Sequence, residues 1–141
     1  MAKERRLWKI RDKRRFLIEA MKELAGAAHI SFEGDLSGVT LSNLPGASGE
    51  ETPVLKRNTL RPIQDFVILP LEIEDMRAIS AAIGGTFPRA ILHMQIEKDG
   101  RLELGVYDNF DVHALFFGSA LTPEFLSRLE AEAIATKWTD R

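Results

Sequence analysis

The clearest pattern along the chain is an alternation of apolar and polar residues in its second half. Segments 89–97 and 101–107 each place an apolar residue at every second position, which is typical of half-buried strands. If both apolar sets face the same side, Ile96 lies opposite Leu102 and a three-residue loop joins the strands. A two-residue turn would instead set Glu97 beside Leu102, so the pattern favours the longer loop.

Four further segments have the composition of β-strands. Apolar and polar residues alternate in segment 29–33, and segment 65–70 is a nearly continuous apolar run. The other two segments are shorter and follow turn residues: 39–41 and 112–117. With the hairpin, these segments predict a sheet of about five to six strands.

Three segments show the 3.6-residue apolar period of amphipathic helices. The first, residues 3–24, has an apolar stripe interrupted by Arg14, and its N-terminal half is basic almost all round. The second, residues 72–83, has acidic residues in its first turn and two glycines after its end. The third, residues 122–136, begins with a threonine N-cap followed by proline, a common start for a helix.

The predicted order of elements is α-β-β-β-α-β-β-β-α. Consecutive hairpins with helices at intervals indicate a single α+β domain, with a mostly antiparallel sheet and helices packed on one face. We assign residues 1–15 to a basic N-terminal arm that starts the first helix, and residues 16–141 to the domain. A long loop at 42–58 interrupts the domain, and loops of this length are often functional.

Basic residues are concentrated at the start of the chain. Residues 1–15 contain eight of the 19 Lys and Arg residues but two of the 21 Asp and Glu residues. The arm therefore carries a charge of about +6 and the remainder about −8, within a net charge of −2. Such asymmetry between segments indicates an electrostatic partner.

The basic arm can bind nucleic-acid phosphates, bind an acidic surface on a protein partner or a second copy of the chain, or remain solvated. No helix-turn-helix or zinc-finger spacing accompanies it, so groove-specific reading of DNA is not predicted. The candidate contact residues of the arm are Lys3, Arg5, Arg6, Trp8, Lys9, Arg11, Lys13, Arg14 and Arg15, with Trp8 available for base stacking. A second basic cluster at the end of the long loop consists of Lys56, Arg57 and Arg61.

Polar residues on the hairpin and in the loop after it form a candidate pocket: His93, Glu103, Tyr107, Asp108 and His113. Their spacing matches no calcium loop, and a half-exposed sheet face followed by a turn explains them without a ligand. The chain has no cysteine, and it has no nucleophile elbow, phosphate-binding glycine loop or zinc-binding helix. We therefore predict no catalytic residue, metal or cofactor.

These observations favour a protein-interaction or accessory module that binds a protein partner or self-associates, with a homodimer as one form. The alternatives are a nucleic-acid-associated protein that uses the arm, and a small-molecule-binding domain or enzyme with a pocket on the sheet. No apolar run is long enough to span a membrane, and the basic start is followed by an amphipathic segment rather than a signal-peptide core. A cytoplasmic location is the expectation.

Overall fold

The computed structural model describes residues 7–139, and it confirms the α+β class. The helices are α1 (Lys13–Leu24), α2 (Met76–Ile83) and α3 (Pro123–Ala131). The strands are β1 (Leu7–Ile10), β2 (Ala28–Gly34), β3 (Asp65–Pro70), β4 (Ile91–Lys98), β5 (Arg101–Val106), β6 (Leu115–Phe117) and β7 (Ala135–Trp138). Short 3₁₀ turns occur at Leu41–Asn43 and Ile73–Asp75.

Five strands form one antiparallel sheet in the order β3-β2-β4-β5-β6, and β1 pairs with β7 in a separate two-stranded sheet. All three helices pack on the same face of the large sheet, where their apolar side chains join those of the strands in one core. Phe16, Leu17 and Met21 of α1 are fully buried there. Burial of such side chains supplies most of the driving force for this arrangement.

The long loop covers the opposite face of the large sheet. Leu55 of the loop packs with Phe66 and Ile68 of β3 in a second, smaller apolar cluster. The polar residues on this face of β2 and β4 are therefore buried, except His29, although their alternation predicted a half-exposed surface. Ser48 also pairs with Ile68 at the outer edge of β3, so the loop covers both a face and an edge of the sheet.

The hairpin of β4 and β5 has a different register from the predicted one. Lys98 lies opposite Arg101, so the turn has two residues, and Ile96 lies opposite Leu104 rather than Leu102. A β-bulge at Glu103 separates the two pairings and shifts the register by one residue. With the shorter turn, the bulge keeps Leu104 and Val106 on the core face. Leu102 lies opposite Glu97 and packs against the second apolar cluster on the other face, so its predicted place on the core face is wrong.

The predicted first helix is wrong in its N-terminal part. Residues 7–10 form β1 and the helix starts at Lys13, with Asp12 as its N-cap. In β1 the buried positions alternate, and Trp8 and Ile10 belong to the core. The assignment of residues 1–15 to the start of a helix is therefore incorrect for 7–12, and residues 1–6 lie outside the described range.

Three other predictions of local structure need correction. Residues 39–41 are not a strand, and the strand predicted at 112–117 is confined to Leu115–Phe117. The last helix ends at Ala131, as Ala133 has a positive φ of 60° that interrupts the helix. The chain then forms β7, because strand pairing with β1 satisfies its backbone groups.

Candidate functional site

Three basic side chains converge on one pocket at the start of α1. The pocket has a volume of about 350 Å³, and Arg11, Lys13 and Arg14 line it together with Asp12 and residues 85–87. The Asp12 carboxylate already caps α1, since it accepts a hydrogen bond from an amide of the first turn. The lining side chains therefore carry three positive charges against one carboxylate that has a structural role. We call this the basic pocket.

Arg14 occupies the apolar stripe of α1 because its guanidinium group reaches the end of α2. Its Nε donates a hydrogen bond to the carbonyl oxygen of Gly84, the C-cap of α2, at 2.6 Å. The carbonyl groups at a helix C-terminus stabilise a cation. An arginine in the middle of an apolar stripe is the sequence signal that marks this contact.

Neutral oxygen atoms also position the other two cations of the basic pocket. Lys13 Nζ donates to Asn109 Oδ1 at 3.0 Å and lies 5.3 Å from the centre of the Phe110 ring. Arg11 Nε donates to Thr136 Oγ1 at 3.2 Å. Among the ion pairs within residues 7–139, none involves a cation of this pocket. A neutral acceptor orients a cation without cancelling its charge, so the pocket has a positive potential.

Arg15 lies outside the basic pocket, although it belongs to the predicted set of contacts. It forms an ion pair with Glu132, at 3.8 Å between Nη2 and Oε1. Arg128 pairs with Glu19 nearby, and this hydrogen bond holds the pKa of the Glu19 carboxyl below its ordinary value. The surface formed by α1 and α3 is thus electrostatically balanced, unlike the pocket at the start of α1.

Of the remaining residues of the predicted basic arm, Trp8 and Lys9 lie within the described range. Trp8 is 8% exposed and belongs to the core, so it is not available to stack on a base. Lys9 Nζ lies 5.0 Å from the centre of the Trp138 ring. Lys3, Arg5 and Arg6 lie outside the described residues.

The second predicted basic cluster is on the other face of the large sheet from α1. Arg57 pairs with Glu51 at 3.6 Å and lies over the ring of Phe66. The backbone carbonyl of Lys56 accepts a hydrogen bond from Gln95, and Arg61 is exposed. This cluster therefore does not extend the basic pocket.

Buried polar side chains hold the long loop against the sheet. Glu33 is 1% exposed, and its two carboxylate oxygens accept hydrogen bonds from the amides of Asn58 (2.7 Å) and Thr59 (3.0 Å). Gln95 donates to the carbonyl oxygen of Lys56 at 2.9 Å. Because a buried polar group without a partner is costly, these contacts specify where the loop docks. The alternation of residues indicates the face of each side chain but does not identify these partners.

His93 uses both ring nitrogens in this network. Its Nδ1 accepts a hydrogen bond from the amide of Asp108 at 3.2 Å, and therefore carries no proton. Its Nε2 is 2.7 Å from Thr59 Oγ1 and is assigned as the donor to that hydroxyl. The ring of Tyr107 lies 5.8 Å from that of His93. The structure thus brings three of the five predicted pocket residues together, in a packed polar layer beneath the loop.

Glu103 and His113 lie apart from this layer. Glu103 is the bulge residue of β5, and its carboxylate accepts a hydrogen bond from the amide of Ala120 at 3.1 Å. His113 Nδ1 is 3.4 Å from the carboxylate of Asp111, and both side chains are about half exposed. The strand alternation that placed Glu103 on the same face as His93 fails at the bulge.

Burial raises the pKa of Tyr107 above its ordinary value of 10.0. Its hydroxyl donates to Gln95 Oε1 at 3.2 Å, and its ring lies over Gly105, where a Cβ atom would be 2.6 Å from the ring. Neutral phenol is therefore favoured in the folded protein. Its contribution to stability is complete below the unfolded-state pKa and is lost as the pH rises through the higher folded-state pKa.

Because Tyr107 is the only tyrosine, absorbance of the phenolate can test this directly. We expect a titration midpoint above the ordinary value in native protein, and a return to that value in denaturant. Tyr107→Phe should remove the absorbance change and lessen the alkaline loss of stability. An unshifted native midpoint would contradict the burial of the hydroxyl group.

Within residues 7–139, no group of three or more His, Asp or Glu side chains is arranged to hold a metal ion. None of the helices in this range is long and apolar enough to cross a membrane. No protein-family model, curated protein or solved structure matches the chain.

Proposed function

We propose that the protein is an interaction module that binds an acidic segment of a protein partner at the basic pocket. The observation that supports this is the convergence of Arg11, Lys13 and Arg14 on one concavity, each oriented by a neutral acceptor. Carboxylate groups are complementary to such a site because charge-assisted hydrogen bonds are strong and directional. The site therefore gains electrostatic stabilisation when an acidic group enters it.

A protein partner fits this pocket better than a nucleic acid does. Non-specific binding of single strands combines an extended basic groove with exposed aromatic rings on which bases stack. Here the cations lie around a single pocket, Trp8 belongs to the core and the Phe87 ring that lines the pocket is 5% exposed. The basic residues Lys3, Arg5 and Arg6 precede β1 in the sequence and add positive charge.

The proposal can be tested with a fluorescein-labelled poly-glutamate peptide in anisotropy titrations. We expect binding that weakens between about 50 and 200 mM salt, as expected for contacts between exposed charges. The double variant Arg11→Gln/Lys13→Gln should reduce affinity at least tenfold, because each charge-assisted contact contributes about 1.5–3 kcal/mol. Both substitutions retain a polar side chain and remove its charge.

Lys22→Gln provides the matched control, because Lys22 is also on α1 but pairs with Glu19 at 3.4 Å. It removes one positive charge outside the basic pocket, against two within it in the double variant, and should leave peptide affinity unchanged. Equal losses in both variants would show a non-specific charge effect and contradict the proposal. A single-stranded DNA or RNA oligonucleotide that binds more tightly than the peptide, and depends on Arg11 and Lys13, would replace it with nucleic-acid binding.

A second copy of the chain is one form that the acidic partner can take. Sedimentation at low salt tests this form directly. A dimer that dissociates in the Arg11→Gln/Lys13→Gln variant, but not in Lys22→Gln, would place the acidic segment on the second copy. A monomer that binds the peptide would place it on a different protein.

A further inference from the structure

We propose that the protein has a second binding site, which takes a small uncharged apolar molecule carrying a hydroxyl group. The site is a cavity of about 370 Å³ between the long loop and the sheet. Pro53, Val54 and Leu55 supply apolar lining, and His29 and Glu97 supply polar groups. Known small-molecule sites have a similar volume, a mostly apolar lining and a few positioned polar groups.

The strand register places the two polar residues of this cavity together. His29 on β2 and Glu97 on β4 are direct cross-strand partners, and His29 Nδ1 is 2.5 Å from Glu97 Oε1. The other oxygen of Glu97 accepts a hydrogen bond from the amide of Gly100 at 2.9 Å. The carboxylate is thus held at both oxygens, and it fixes the orientation of the imidazole ring.

The free nitrogen of His29 determines the chemistry of the ligand. When the ring is neutral and its Nδ1 proton is donated to Glu97, Nε2 presents a lone pair. No hydrogen bond within residues 7–139 uses this atom, in contrast to the fully engaged ring of His93. In this form the imidazole and the carboxylate together carry a negative charge, which disfavours an anion. A neutral hydroxyl group can instead donate its proton to Nε2.

The walls of the cavity favour an apolar body on that ligand. Thr52 Oγ1 accepts a hydrogen bond from the amide of Leu55 at 2.9 Å and from the amide of Val54 at 3.3 Å. These bonds form the turn that presents Pro53 and Val54 to the cavity. Leu55 is fully buried and anchors the turn in the apolar cluster on the sheet. An apolar ligand would extend this cluster and release water from its surface.

Two ligands test the site: 2-naphthol, and 2-methoxynaphthalene, in which a methyl group replaces the hydroxyl proton. Binding is measured from amide chemical shifts of the full chain in heteronuclear NMR. We expect both compounds to shift the amide signals of Thr52, Val54, Leu55 and Gly100, with 2-naphthol binding about tenfold more tightly through one additional hydrogen bond. No shifts at these residues, or equal affinity for the two compounds, would overturn the proposal.

Substitutions separate the polar and apolar parts of the site. His29→Phe keeps a planar ring but removes Nε2, so it should abolish the difference between the two compounds. His113→Phe, a histidine substitution outside the cavity, should preserve that difference. Val54→Glu should weaken binding of both compounds, and the basic-pocket variant Arg11→Gln/Lys13→Gln should have no effect. A preference for 2-naphthol that persists in His29→Phe would overturn the assigned role of His29.

Discussion

Replacing Phe16 with alanine should destabilise the protein by about 3–5 kcal/mol, the usual cost of removing a buried aromatic ring. Phe16 is fully buried at the centre of the core. Its ring makes edge-to-face contacts with Phe110 (6.1 Å between centroids) and Phe117 (6.4 Å). These contacts join α1 to the loop before β6 and to β6 itself, so the substitution leaves a cavity where three elements meet.

Urea unfolding followed by circular dichroism measures this loss, with Phe16→Leu as the control. Leucine fills most of the volume and should cost less than alanine, because the cost increases with the cavity that remains. An alanine variant as stable as the wild type would mean that α1 is peripheral to the core. Phe16→Ala should also weaken peptide binding, because Phe16 contacts the Phe110 ring and Lys13 Nζ lies over that ring.

The second large effect is expected at Glu33. Glu33→Ala removes the acceptor of two loop amides and should cost about 2–4 kcal/mol, because each buried group left without a partner costs about 1–3 kcal/mol. The loss should be concentrated in the loop, which has few other polar attachments to β2. Hydrogen exchange is therefore the sharper measurement, and the amides of Asn58 and Thr59 should exchange much faster in the variant.

Glu51→Ala is the matched control for this prediction. Like Glu33, Glu51 accepts a hydrogen bond from a backbone amide of the loop, that of Arg57 at 3.2 Å. Unlike Glu33, it is exposed. Water can replace this acceptor, so the substitution should change stability by about 0.5 kcal/mol or less. Unchanged protection of Asn58 and Thr59 in Glu33→Ala would show that the loop does not depend on this carboxylate.

The register of the β4–β5 hairpin shows how far alternation can be used. Alternation correctly predicted the burial of Met94, Ile96, Leu104 and Val106 in the core. It was wrong for Leu92, since Ile91 is the core residue there, and for Leu102, which packs on the other face. The turn was wrong because Asp99 and Gly100 both adopt positive φ, at 53° and 80°. That conformation is typical of the two-residue turn that matches strand twist. The bulge at Glu103 then returns Leu104 and Val106 to the core face. A period-two pattern cannot predict such an extra residue.

The N-terminal segment illustrates a second cause of error. Residues 7–10 fit a helical stripe and a strand about equally well, since four residues are too few to separate the two periods. Pairing with β7 decides between them. Each residue of β1 is separated from its partner in β7 by at least 125 positions in the sequence. Asp12 caps the helix in the structure, and the predicted helix from residue 3 missed this local signal for a later start.

The sequence by itself determined the α+β class, most helix and strand positions, the long loop and the segregation of charge. These properties depend on local periodicity and composition, which the order of residues contains directly. Tertiary structure decided which cations share a pocket, which polar side chains the loop covers and where Trp8 lies. Each of these depends on contacts between residues distant in the chain, such as Arg14 with Gly84 and Glu33 with Thr59. Only the packed chain brings such groups within bonding distance, so no local pattern could reveal them.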